Sequence, residues 1–272
     1  MNLKLFVASV VLPLNLLSLS WSAETHQASG VKVGEVTDTT ALVWSRLTRN
    51  SARNPDRPID FSQKKYEDGE VDMLPGACPG MPGKLRVQYS PAASQEAKGK
   101  TTPWVEVSSE SDFSHVFALE NLSPDTKYIY HVESTDSDGN LHAAVPGEFR
   151  TAPLKQQAKE IRFCVLSCQM YEHLDDPDGF KIYPAMLAID PHFVVFTGDN
   201  VYYDRDRPLA NSPRLASWHW ERMYSLPRHR DLASKVVTYW EKDDHDVLSD
   251  DCWPGKAAVG KLTFEDGLKI YR

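Results

Sequence analysis

Short alternating apolar and polar runs occupy the chain from Val31 to about Pro153. Val31-Lys32-Val33-Gly34-Glu35-Val36, Thr40-Ala41-Leu42-Val43-Trp44, Lys84-Leu85-Arg86-Val87-Gln88-Tyr89, Trp104-Val105-Glu106-Val107 and Tyr128-Ile129-Tyr130-His131-Val132 show the period of two, or the short apolar run, of a half-buried strand. No helical period interrupts them. Leu122 to Tyr128 reads as a turn entering a strand, and Asp136-Ser137-Asp138-Gly139-Asn140 as a hairpin-type turn before Gly147-Glu148-Phe149-Arg150-Thr151. Strands joined only by turns predict an antiparallel β-sandwich. Residues 50–83, rich in Pro, Gly and charge, read as a long insertion between strands and as the least ordered part of that unit.

The pattern changes after residues 152–157. Mostly apolar runs at Ile161 to Leu166, His192 to Phe196 and Val236 to Trp240 alternate with helical candidates at Ile182 to Ile189 and Leu215 to Tyr224. Strands alternating with helices predict a parallel sheet, so an α/β unit follows the sandwich. Only three such strands precede Arg272. The third is therefore expected to lie open at a sheet edge, with Phe264, Leu268, Ile270 and Tyr271 short of a surface to pack on. At the amino end, Lys4, an apolar run from Leu5 to Leu19 and Ser20-Trp21-Ser22 form a secretory signal over residues 1–22, with cleavage before Ala23. The run is too short and interrupted for a stable membrane span, and the protein is expected to be secreted or periplasmic.

A chain of 272 residues holds about two domains at ordinary domain size. Thirty Lys and Arg against thirty-eight Asp and Glu leave a net charge of −8, a field that repels polyanions and argues against nucleic-acid binding. An anionic substrate would need local positive charge from a metal ion or a few basic side chains. The four cysteines are Cys78, Cys164, Cys168 and Cys252. Spacing alone assigns no pairing; the plain reading is one Cys78–Cys252 disulfide and two core thiols.

Each of the three apolar runs in the second half leads at once into polar residues. These are Ser167-Cys168-Gln169, then Thr197-Gly198-Asp199-Asn200-Val201-Tyr202-Tyr203-Asp204, then Glu241-Lys242-Asp243-Asp244-His245-Asp246. Loops at the carboxyl ends of parallel strands form the ligand crevice of open α/β sheets, so the three clusters are expected to converge. Together they offer a thiol, carboxylates, a phenol and an imidazole, the ligand repertoire of a hard or borderline metal site. Gly198 suits a sharp turn, and Asp199 has two oxygens with which to bridge two ions.

Gly198-Asp199-Asn200-Val201-Tyr202 followed by Trp240 to Asp246, with Ser167-Cys168-Gln169 before them, resembles the metallophosphatase core of the alkaline phosphatase D (PhoD-like) family. Val33 to Thr37, Ala41 to Arg46, Leu122 to Tyr130 and Gly147 to Pro153 resemble that family's fibronectin type III-like N-terminal domain. The resemblance implies an immunoglobulin/fibronectin type III-like β-sandwich over residues 29–153, followed by an incomplete α/β metallophosphatase domain over 160–272. It implies phosphomonoester or phosphodiester hydrolysis with ferric iron and calcium as cofactors. Cys168, Asp199 and Tyr202 would hold the Fe3+ ion, and Asp199 would bridge to Ca2+. Asp244 would be the second-metal ligand, with Asp243 as the alternative, and His245 would act beside the phosphate. A metal-activated hydroxide would attack phosphorus in line, with no protein nucleophile. This leader lacks the family's twin-arginine signal. The family's catalytic domain also runs well beyond this length and returns further ligands, so a missing C-terminal half and weak activity alone are expected.

Taken singly, the same residues have plainer uses. Cys168 suits a buried thiol, Asp243-Asp244 a helix cap, Tyr202 or Tyr203 core packing, and His245 a surface position. His219 between Trp218 and Trp220 suits packing; Asp204, Asp206, Asp250 and Asp251 suit solvated loops. The combination favours metal binding. The other function classes are a secreted β-sandwich binding module with a non-catalytic remnant, and a different metallohydrolase such as a nuclease.

Overall fold

The computed structural model describes residues 24–60, 65–94 and 99–272. The leader and its cleavage point before Ala23 lie outside the described residues. In the front half the strands are β1 (Val31–Gly34), β2 (Ala41–Arg46), β3 (Gly83–Pro91), β4 (Lys100–Thr101), β5 (Val105–Val107), β6 (Ser114–Leu119), β7 (Lys127–Asp136) and β8 (Val145–Arg150), with the one-turn helix α1 (Asp68–Val71). The back half contributes β9 (Phe163–Leu166), α2 (Ile182–Ala188), β10 (Phe193–Thr197), α3 (Pro213–Tyr224), α4 (Pro227–Lys235), β11 (Val237–Glu241) and α5 (Phe264–Tyr271).

The strands form two sheets. One is antiparallel, in the order β4-β3-β7-β8 with β5 also on β3; the other has six strands in the order β6-β2-β1-β11-β10-β9. The period of two does its expected work: Leu85, Val87 and Tyr89 of β3 and Tyr128, Tyr130 and Val132 of β7 point inward onto Val31, Val33, Val43 and Phe117 of the facing sheet. β6, from Ser-His-Val-Phe-Ala-Leu, was not legible as a strand in advance; it pairs along the whole of β2.

The six-stranded sheet joins the two halves. β1 runs parallel to β11 with Gly34 opposite Thr238, Thr238 Oγ1 donates to the Val33 carbonyl at 3.1 Å, and Tyr239 OH donates to the Val36 carbonyl at 3.1 Å. A Cβ on Gly34 would stand 2.6 Å from the Thr238 carbonyl oxygen, so the close approach requires glycine. The expectation that the third parallel strand lies at an open edge is thereby corrected. β11 is interior, because the sheet continues into antiparallel strands of the front half. The edge strands are β6 and β9, and at β9 Phe163 and Val165 are more than half exposed.

The helices of the back half cover a second core. Tyr183, Val194, Phe196, Leu215, Trp218 and Leu232 pack there, with the Phe196 and Trp240 rings stacked at 3.9 Å. The carboxyl-terminal helix is also corrected. Phe264 is buried in this core, Leu268 and Ile270 pack against it, and Tyr271 OH donates to the Trp240 carbonyl at 2.7 Å. Of the insertion, residues 61–64 lie outside the described residues, and its described part buries Val71, Leu74 and Ala77 in the same core. It is pinned by polar contacts to α3: Trp218 Nε1 donates to the Pro75 carbonyl at 3.0 Å, and the Cys78 amide donates to Glu221 Oε2 at 2.7 Å. Glu221 also pairs with Arg46 at 3.5 Å and Arg214 at 2.9 Å, so a buried carboxylate is matched by two guanidinium groups.

Cys78 and Cys252 do not pair; all four cysteines are free thiols. Cys78 is buried beside Glu221, whereas Cys252 Sγ donates to the Asp244 carbonyl at 3.2 Å. Among the described residues no helix is long and apolar enough to cross a membrane.

Candidate metal centre

β9, β10 and β11 are parallel neighbours, with Leu166 opposite Phe196 and Thr197 opposite Glu241. The three polar clusters leave the same end of the sheet and meet. Beyond the strand ends the backbone remains tied: the Gln169 amide donates to the Asp199 carbonyl at 2.9 Å and the Cys168 amide to the Gly198 carbonyl at 3.4 Å. The turn is tight. Cys168, Gly198 and Asp199 have φ of +60°, +89° and +53°, and for the two non-glycine residues this left-handed backbone is strained, as is common where side chains are aimed at a ligand. A Cβ on Gly198 would stand 2.6 Å from Asp243 Cβ, which shows how closely the second loop crosses the third.

Asp246 locks those two loops together. Fully buried, it accepts from the Val201 amide at 2.8 Å, from Asn200 Nδ2 at 3.0 Å and from the Asp243 amide at 3.1 Å. Burial pushes its carboxyl up to about 6, against the opposing pull of these hydrogen bonds.

Asp199 stands at the centre. Its Oδ2 accepts from Tyr202 OH at 2.8 Å and from Cys168 Sγ at 3.6 Å, which gathers the predicted thiol and phenol on one oxygen. Its Oδ1 is buried with no hydrogen-bond partner. Asp199, Asp244 and His245 each offer a ligand atom, all within 4.8 Å of one another. A buried carboxylate oxygen left unpaired beside a second carboxylate is costly unless a cation shares it. The donors therefore fit a metal site, with thiol and phenol on one side of Asp199 and carboxylate and imidazole with it in a second group. Asp244 belongs to that group, while Asp243 is exposed and its Oδ1 accepts from the Asp244 amide at 2.9 Å.

A family model for the N-terminal domain of PhoD-like phosphatases matches residues 18–153, half of the chain. The chain belongs to the PhoD-like phosphatase family. The solved structure of PhoD aligns with this PhoD-like chain at a TM-score of 0.66 and 16% identity, over 91% of this chain and 44% of that one. The purple acid phosphatase PPD1 from yellow lupin (Lupinus luteus) seeds aligns at 0.54 and 13% identity, over 87% of this chain and 38% of that one. At such identities the likeness is one of fold, and the chain spans less than half the length of either structure. No curated protein sequence matches it.

At the site the two adjacent tyrosines differ in packing. Tyr203 is fully buried and accepts from Trp220 Nε1 at 2.6 Å, so it belongs to the core. Tyr202 faces the site, its ring 4.5 Å from that of His245. Burial, with Asp199 and Cys168 as neighbours, holds its phenol well above the ordinary range, and a cation at Asp199 would act in the opposite sense.

Two acids read in the sequence as solvated loop charges have specific partners. Asp204 Oδ1 lies 2.6 Å from His245 Nδ1, and Asp206 is buried, accepts from the Tyr171 and Glu172 amides and pairs with Arg222 at 3.7 Å. His245 itself is buried rather than at the surface. His219 is core, as its tryptophan neighbours indicated: Nε2 bonds the Pro208 carbonyl at 3.0 Å and Nδ1 accepts from Arg222 at 3.2 Å.

Proposed function

We propose that this chain carries the metal-binding side of a phosphoric ester hydrolase of the alkaline phosphatase D type, acting on phosphomonoesters or phosphodiesters outside the cytoplasm. The observation that carries the reading is the unpartnered Oδ1 of Asp199, set among Cys168, Tyr202, Asp244 and His245. Cys168, Asp199 and Tyr202 would hold ferric iron, and Asp199 with Asp244 would hold calcium. Bound there, the ions would neutralise phosphate oxygens and lower the pKa of water, which removes the need for a protein nucleophile.

The remaining work falls to the chain's own residues. Asp246 keeps the second and third loops in register, so that Asp199 and Asp244 stay within reach of one group of ions. Asp204 orients the His245 ring from its Nδ1 side, leaving Nε2 to hold or pass a proton at a phosphoester oxygen.

Elemental analysis of protein purified without chelator, combined with turnover of an activated phosphodiester, tests the reading. The expected result is iron and calcium in the wild type, and in Asp199→Asn a loss of both metal and turnover by orders of magnitude. A chain free of both metals, or an Asp199→Asn protein with wild-type activity, would refute it.

A further inference from the structure

The carboxylate of Asp250 is held between two basic side chains. Its Oδ1 lies 3.4 Å from His245 Nε2 and 3.4 Å from Arg205 Nη2, so one oxygen is shared by an imidazole and a guanidinium. The other side of that imidazole is fixed by Asp204, whose second oxygen accepts the Asp250 amide at 2.9 Å. Arg205 follows Asp204 directly, so the backbone that orients His245 also presents the guanidinium.

The members of this group differ in freedom. The His245 side chain is buried, whereas those of Arg205 and Asp250 are 49% and 63% exposed. The loop is held by its backbone, since Lys256 Nζ donates to the Asp250 carbonyl. The carboxylate can therefore swing away while loop and imidazole stay in place. An exposed ion pair contributes little and is readily exchanged for a better partner, and a guanidinium matches phosphate oxygens in charge and geometry. Asp250 lies outside the group of candidate metal-holding side chains found among the described residues.

We propose that Asp250 is an internal substitute for a phosphate oxygen, which the phosphoryl group of the substrate displaces to be held by His245 and Arg205. This rests on the hydrolase reading and adds a built-in competitor to it. A position occupied by the chain's own carboxylate binds its ligand in proportion to the fraction of time it is open. Removing the carboxylate opens the position and also removes a like charge.

The test is titration of the full chain with inorganic phosphate by calorimetry, for the wild type, Asp250→Ala, Asp250→Asn, Arg205→Ala and the Asp250→Ala/Arg205→Ala pair. Each is run both as purified and after chelation, with metal content measured alongside. Asp250→Ala should tighten phosphate binding by about 3- to 10-fold, Asp250→Asn by less, and Arg205→Ala should weaken it; in the pair the gain from Asp250→Ala should shrink. Asp250→Ala binding phosphate no more tightly than the wild type would overturn the proposal, whatever the metal content. A metal-free, inactive wild type whose phosphate affinity still rises in Asp250→Ala would refute the hydrolase reading and leave this anion position standing.

Discussion

Asp204 grips His245 by its Nδ1 at 2.6 Å while its second oxygen holds the Asp250 amide. A residue of the loop after β10 thus sets the orientation of a ring carried by the loop after β11. A carboxylate only accepts, so the shared hydrogen sits on Nδ1 and the chemistry is left to Nε2.

Replacing Asp204 by asparagine keeps the shape and removes this control, because an amide can also donate to the ring. Turnover should fall by about 10²- to 10⁴-fold, the usual range for lost acid–base assistance, while metal content measured on the same sample stays at the wild-type level. Wild-type turnover in Asp204→Asn would reduce the residue to a brace for the Asp250 loop.

His245→Ala separates binding from chemistry. Metal content should remain nearly intact and turnover of an activated phosphodiester should drop over the same range of about 10²- to 10⁴-fold. Parallel loss of metal and turnover would instead make His245 a ligand, a role its place in the group with Asp199 and Asp244 makes worth measuring.

Gly198→Ala should damage both fold and site. The added Cβ meets Asp243 Cβ at 2.6 Å and the Asp243 amide nitrogen at 3.0 Å, on backbone with φ of +89°. A cost of about 1–3 kcal/mol is expected from overpacking and strain, read as a lower urea midpoint, together with weaker metal binding as the third loop is pushed aside. An unchanged midpoint would show that the crossing of the two loops is looser than described.

Stability should fall as pH drops below about 6.5. Burial, with Arg222 near His219 and with Arg53 and Lys32 near His229, holds both imidazoles well below their ordinary value. Below that value the unfolded chain takes up two protons that the folded chain refuses, each worth about 1.4 kcal/mol per pH unit. Asp246 acts in the opposite sense. With its carboxyl pushed up to about 6, the folded chain takes up a proton there before the unfolded chain does, which offsets one of the two between about pH 6 and 4. Urea midpoints at pH 7.5 and 5.5 measure the slope, and because Asp246 offsets part of it, His229→Phe should remove more than half of it. Equal midpoints in the wild type would exclude the mechanism.

Much of this was legible in the sequence. Alternation gave the strands of the sandwich, and three apolar runs each ending in polar residues gave the convergence of Cys168, Asp199 and Asp244. What escaped depends on partners distant in sequence. Asp204 and Asp206 sit in Asp-Arg-Asp-Arg, a charge run that reads as solvated, yet one faces His245 and the other the buried Arg222. The insertion looked loose because its polar composition conceals Val71, Leu74 and Ala77, the few side chains that dock. The neighbour of β11 could not be read from periodicity, since alternation shows which face of a strand is buried and not which strand lies beside it.

The pairing of β1 with β11 also bears on how such a protein can be divided or recombined. A cut near residue 153 separates two stretches of sequence but tears one sheet along its interior, baring the edge of β11 to any strand that will pair with it. A front half grafted from a relative would need a residue without a Cβ opposite Thr238, or the seam could not close. The halves are matched pieces, and exchange between lineages would have to keep glycine at position 34 against the main chain of β11.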